Sequence, residues 1–108
     1  MARTVKRLAG PAQVSNAAAT KYTTPASTTT ILRHIHVSNT SAGAVTFTMS
    51  IGADAAGTRI FDGYSIAAGA FLDLWVFFVL SATEVIQALA GTNNILTLTL
   101  DGEEITLG

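Results

Sequence analysis

The chain has 108 residues, 49% of them hydrophobic and only 12% charged, with a formal net charge of -1 and no cysteine. That length fits one domain. The apolar share excludes intrinsic disorder, and the near-zero charge excludes nucleic-acid binding by bulk electrostatics. Without cysteine there is no disulfide, thiolate metal site or thiol nucleophile. A charged share about half the usual ~25% means either an unusually apolar surface or one largely hidden against partners; we take the second, because an isolated small domain carries more charge for solubility.

Residues Met1 to Ala19 look least like core. Arg3, Lys6 and Arg7 open the segment, Gly10-Pro11 interrupts it, and Gln13 to Ala19 is small and polar. We expect an N-terminal arm over 1-19, with a short edge strand at Thr4 to Leu8, and a β-sandwich domain over 20-108. No apolar core of a signal peptide follows the basic start. The longest fully apolar run, Leu74 to Leu80, is far short of the ~20 residues of a spanning helix, so no membrane partner is expected.

Threonine recurs inside apolar runs, which favours strands, where β-branched side chains fit the pleat. Turn residues punctuate the runs at short intervals, as in an all-β sandwich or small barrel. The spacing predicts short strands at Thr20 to Thr24 and Thr58 to Asp62, with Pro25 marking a turn or an edge. Thr28 to Ser38 reads as a strand with Ile31, Arg33, Ile35 and Val37 on one face and Leu32, His34 and His36 on the other. It is expected to form a hairpin with Ala44 to Ile51 across Asn39 to Gly43. In Ala44 to Ile51, Val45, Phe47, Met49 and Ile51 alternate with Ala44, Thr46, Thr48 and Ser50, the signature of one buried face.

Ala70 to Leu80 is apolar on both faces. Leu72, Leu74, Val76, Phe78 and Leu80 form one row; Phe71, Asp73, Trp75, Phe77 and Val79 form the other. A strand of a two-layer sandwich normally turns one face to solvent. The second row is therefore either covered by a loop or the N-terminal segment, or it is an interface, since aromatics are enriched in interface cores. We take Phe71, Trp75, Phe77 and Val79 as interface residues. Ser81 and Glu84 have capping-box spacing for a helix closed by Gly91, but the all-β context favours a strand over Thr83 to Ala90. Leu96, Leu98 and Leu100 alternate with Thr97 and Thr99 in a last strand, and Gly102 to Gly108 reads as an edge strand or tail.

Charge is segregated. The charges up to Ala53 are Arg3, Lys6, Arg7, Lys21 and Arg33, or +5; those from Asp54 on are seven acids (Asp54, Asp62, Asp73, Glu84, Asp101, Glu103, Glu104) and Arg59, or -6. The halves either pair within the fold or let a basic arm reach an acidic neighbour, and such complementarity sets register more than affinity. On the second reading Arg3, Lys6 and Arg7 are interface residues too.

Catalytic chemistry finds little support. His34 and His36 share a strand face and could supply two zinc ligands, but a catalytic zinc takes three and a structural one four. No nucleophile elbow exists. Glu103 and Glu104, being adjacent, face opposite ways in a strand and read as a solvated end. Gly52 to Gly57 lacks the Lys of a phosphate loop, and Asn39-Thr40-Ser41 matches the short glycosylation acceptor pattern. No enzyme activity, cofactor, metal or nucleic-acid partner is expected.

The order of these elements, from Tyr22 to Ile105, resembles the small β-sandwich virion proteins of tailed bacteriophages. It is carried by Tyr22-Thr23-Thr24-Pro25-Ala26-Ser27 before a strand, the Asn39-Thr40-Ser41 turn, Ile66-Ala67-Ala68-Gly69, Thr83-Glu84-Val85-Ile86-Gln87-Ala88 and the closing Leu96-Thr97-Leu98-Thr99-Leu100 with Gly102. Such proteins often carry Val-Pro-Ala-Gly and Pro-Ala-Gly where this chain has Thr24 to Ser27 and Ala67 to Gly69. The resemblance implies a single antiparallel β-sandwich, jelly-roll or immunoglobulin-like, of about eight strands. It implies a non-enzymatic head-decoration, cement or tail-associated subunit located in the virion. Its partners would be further copies of itself, a trimer included, and major capsid or tail proteins. The alternative is a carbohydrate- or receptor-binding module of a tail tip, with Trp75 or Tyr64 as a stacking platform.

Overall fold

A computed structural model describes residues 2-106; Met1, Leu107 and Gly108, which belong to the expected arm and domain ends, lie outside the described residues. Eight strands form: β1 (Ala2–Gln13), β2 (Ala19–Thr23), β3 (Thr28–Asn39), β4 (Val45–Ile51), β5 (Arg59–Ile66), β6 (Phe71–Leu80), β7 (Val85–Ala90) and β8 (Leu96–Thr106). They make two four-stranded antiparallel sheets, ordered β1-β8-β3-β6 and β2-β7-β4-β5. The pairs β1·β8, β2·β7, β3·β6 and β4·β5 are nested, as if the chain were folded once in half and then rolled, with successive pairs placed in alternate sheets. This is the jelly-roll form of the expected β-sandwich.

The core lies between the sheets. Phe47 and Met49 of β4, Ile86 of β7, Leu32, Ile35 and Val37 of β3 and Leu96, Leu98 and Leu100 of β8 are all buried there. One end is closed by Tyr22 of β2, whose hydroxyl reaches Thr30 Oγ1 at 2.7 Å and donates to Glu104 Oε2 at 2.5 Å across the sandwich. Desolvation there, reinforced by the Glu104 carboxylate, pushes the phenol up to about 12.

Several expectations change. The hairpin between the third and fourth strands does not form: β3 lies in one sheet and β4 in the other. The corner is held by Asn39, whose Nδ2 donates to the carbonyls of Gly43 and Ile66, both at 2.9 Å, while its Oδ1 accepts from the Ser41 backbone at 3.0 Å. Asn39 is 1% exposed although Thr40 beside it is exposed, so the side-chain amide of the Asn39-Thr40-Ser41 pattern is buried in the corner and not presented as an acceptor. Residues 2-13, expected as part of an arm, are strand β1, hydrogen-bonded along β8 from Ala2 to Gln13. Two-residue periodicity is weak there because an edge strand buries little on either side. Gly102 to Thr106 is not an edge or tail but the continuation of β8, between β1 and β3.

Face alternation in β3 breaks at Arg33. The registers against β8 and β6 both shift between Leu32 and His34, so Arg33 and His34 turn outward together while Leu32 and Ile35 point into the core. A bulge inserts one residue and inverts the phase downstream, which a strict alternation cannot register. Thr48 and Ser50, expected on a solvent face, are buried; Thr48 Oγ1 accepts from Gly63 N at 2.9 Å and Ser50 Oγ donates to the Gly52 carbonyl at 2.9 Å. Ser81 to Glu84 is a turn. Ser81 N donates to Glu84 Oε1 at 3.0 Å, as in a capping box, but Thr83 at φ 68° leaves the helical region and the chain enters strand β7.

Candidate docking face

The outer surface of the β1-β8-β3-β6 sheet gathers most of the residues singled out above. On β6 the side chains alternate as the sequence requires: Leu72 and Leu80 are buried, whereas Phe71, Trp75, Phe77 and Val79 are 65%, 77%, 64% and 56% exposed. Among the described residues, neither a loop nor the N-terminal segment covers this row. It lies on the last strand of its sheet, since among the described strands β6 pairs only with β3.

Beside the aromatic row lies a layer of paired charges contributed by β3, β8 and β6. His34 Nε2 meets Asp73 Oδ1 at 2.5 Å and its Nδ1 meets Asp101 Oδ2 at 3.0 Å; His36 Nδ1 meets the same Asp73 oxygen at 3.0 Å. Asp73 thereby ties edge strand β6 to β3, and His34 carries the tie on to β8. Both ring nitrogens of His34 face carboxylates, an arrangement that suits the doubly protonated imidazolium. The hydrogen bond to Asp101 raises its pKa, burial opposes this, and Asp73 adds to the rise. The bonds from His36 and then His34 hold Asp73 below its usual value. The two imidazoles also support the aromatics: Trp75 stacks on His34 with centroids 4.4 Å apart, and Phe71 stacks on His36 at 5.4 Å.

A second charged cluster sits nearer β1. Glu103, read as a solvated end, is only 8% exposed. Its carboxylate accepts from Arg3 Nε at 2.6 Å and from Arg33 at 2.9 Å. Arg33 also lies 5.6 Å from the Phe77 ring centroid, over its face. On the other side of β8, Lys6 Nζ meets Glu104 at 3.3 Å. Arg3 and Lys6 therefore pair with their own chain, and among the described residues no ion pair to Arg7 is found. The segregated charges meet because β1 and β8, from opposite ends of the sequence, are neighbours.

Between Trp75 and β1 runs an open groove of about 790 Å³ walled by Val5, Arg7, Arg33, Trp75, Asp101 and Glu103. It connects the two sets of expected interface residues, which lie at opposite edges of one sheet. Arg33, His34, Asp101 and Glu103 were not among the expected interface residues. His34 and Arg33 share a face only through the bulge, a feature without a sequence signature. His34 and His36 contact the carboxylates of Asp73 and Asp101, and among the described residues no group of three or more His, Cys, Asp or Glu is arranged to hold a metal ion.

No family model matches the chain, and no curated protein matches it. Among solved structures, a chain from the structure of infectious bursal disease virus, Gt strain, aligns over 95% of this chain and 30% of its own length, with a TM-score of 0.47 and 10% identity. The chain thus spans less than a third of that chain.

Proposed function

We propose that the protein is a non-enzymatic structural subunit of a virus particle, of the decoration, cement or tail-associated kind found in tailed bacteriophages. On this reading it docks through the outer face of the β1-β8-β3-β6 sheet. The observation that carries the reading is the row Phe71, Trp75, Phe77 and Val79, four large apolar side chains more than half exposed on one edge strand. At about 25 cal/mol per Å² of apolar surface removed from water, covering two Phe and a Trp contributes several kcal/mol before the cost of association. Repetition on a lattice multiplies a modest contact by avidity. The ordered imidazole and guanidinium layer beneath holds the aromatics in place, which lowers the entropy lost on docking. Jelly-roll sandwiches serve in capsids; fold alone does not assign function, and the exposed row supplies the specific support. Immunogold labelling of particles carrying the chain's genes tests the proposal. Label on the particle surface, lost in Trp75→Lys/Phe77→Lys, is the expected result; unlabelled particles refute it.

One observation favours a second reading. Trp75 lies flat on His34, its other face open beside the charged groove. An aromatic platform flanked by Arg33, Arg7 and Asp101 suits a sugar ring, with C–H groups on the indole and hydroxyls toward the charges. Binding on a glycan array that disappears in Trp75→Ala supports this reading, and an array without signal removes it.

A further inference from the structure

We propose that β6 is a strand-addition edge that pairs antiparallel with β6 of a second copy about a two-fold axis at Trp75, joining two four-stranded sheets into one of eight. The four sheet edges are unequal. Natural edges are protected by shortness, by lysine and other charges, by proline and by bulges. Strand β1 carries Arg3, Lys6, Arg7 and Pro11 and two register shifts. Strand β2 is five residues long, with Lys21 and a shift. Strand β5 carries Arg59 and Asp62, and its register against β4 breaks twice. Strand β6 is ten residues long, without proline, lysine or arginine; its register against β3 shifts once, between Trp75 and Phe78, and its one charge, Asp73, is drawn back onto His34 and His36.

The backbone of β6 is set for an added strand. Asn39 N donates to the Ala70 carbonyl at 2.9 Å. In an antiparallel ladder alternate residues bond to the same neighbour, so Leu72 and Leu74 turn to β3, while Phe71, Asp73 and Trp75 direct their N–H and C=O groups to the open edge. These are the residues whose side chains form the exposed row.

A second copy fits this edge because the row is self-complementary in one register. Centring the axis on Trp75 pairs Phe71 with Val79 and Asp73 with Phe77 of the second copy, and it uses the strand from residue 71 to 79. Each Asp73 then faces the second copy's Phe77, over whose ring that copy's Arg33 lies. Centring on Asp73 instead would set two carboxylates against each other, a destabilising pair. Centring on Val76 would leave Phe71 without a partner and set Asp73 against Val79.

The inference rests on β6 being an assembly surface, but not on the virion context. Light scattering across a concentration series is expected to show the mass rising from 11.2 kDa to twice that, with Trp75→Lys remaining at one copy and Val5→Lys, on the β1 edge, still doubling. A wild-type mass of one copy throughout, or dimers lost in Val5→Lys and kept in Trp75→Lys, overturns the proposal. Register is read separately, since the chain has no cysteine and directly opposed residues lie about 4.5–5.5 Å apart, within disulfide reach. A mixture of Phe71→Cys and Val79→Cys proteins is expected to cross-link far more than either alone; equal cross-linking of Phe71→Cys with itself overturns the register. A dimer that labels no particle leaves this inference standing and refutes the virion reading, whereas a monomer that labels particles does the reverse.

Discussion

Gly102→Ala is expected to destabilise the protein, against the usual sign for such a change. Gly102 sits on β8, opposite Lys6 of β1 and Leu32 of β3, beside the bulge at Arg33. A Cβ there would lie 2.9 Å from Leu8 Cδ1 and 3.2 Å from the Ile31 carbonyl carbon, and closer still to that carbonyl's oxygen. Leu8 can rotate away. The Ile31 carbonyl belongs to the adjacent strand, which is held on its far side by β6, so two central strands must separate locally. Overpacking of this kind costs about 1–3 kcal/mol, sometimes more. Where the backbone conformation suits alanine and space is free, glycine to alanine instead gains about 0.4–1 kcal/mol through the unfolded chain. Gly43, with nothing within 4 Å of its would-be Cβ, is the control. In urea, with a slope of about 1–3 kcal/mol per molar, Gly102→Ala should lower the unfolding midpoint by about 1 M and Gly43→Ala should leave it level or raise it slightly. Because Asp101 and Glu103 flank the glycine, the ties to His34 and Arg33 should loosen as well. Equal midpoints for the two variants would refute the steric reasoning.

Other outcomes follow from the same contacts. The pKa of His34 is raised in the folded state, so its contribution is fully present below the ordinary histidine value near 6.5 and is lost as pH rises through the folded pKa. Asp73 is depressed, so its contribution is present above the usual carboxylate value near 3.8 and is lost as pH falls through its folded pKa. The stability gap between wild type and His34→Gln, measured by denaturation at several pH values, should therefore be widest between those limits and shrink toward alkaline pH; a gap independent of pH would refute the charge-assisted tie. Asn39→Ala leaves the Gly43 and Ile66 carbonyls short of a donor at a buried corner, with an expected loss of about 1–3 kcal/mol in thermal or urea unfolding. Asn39→Ala unfolding with wild type would show that the corner is held by the backbone alone.

Much of the fold was legible because local physics set it. Alternation placed Phe47 and Met49, Leu96, Leu98 and Leu100, and the two rows of β6 on their observed faces, and the apolar and β-branched runs marked seven strands, β2 to β8, near their observed positions. What was not legible depends on which strands become neighbours. The hairpin expected from proximity at Asn39 gave way to a crossing between sheets, because burial of Asn39 and its five side-chain hydrogen bonds forms a corner instead of a reversal. The phase of β3 turns on a bulge that leaves no local mark. Glu103 resembled a solvated acid until β1 and β3 brought Arg3 and Arg33 to it, from 100 and 70 residues away.

The sequence alone determined that the chain is built of short strands and that one of them is apolar on both sides, since side-chain direction in a strand follows from backbone period. It did not determine that this strand lies at an edge, or that its single acid is hydrogen-bonded to two histidines on the strand beside it. Those facts come from strand order, which is set by the whole set of long-range pairings and not by any segment's own pattern. The tertiary structure thereby decided whether Phe71, Trp75, Phe77 and Val79 fill a core or present a surface.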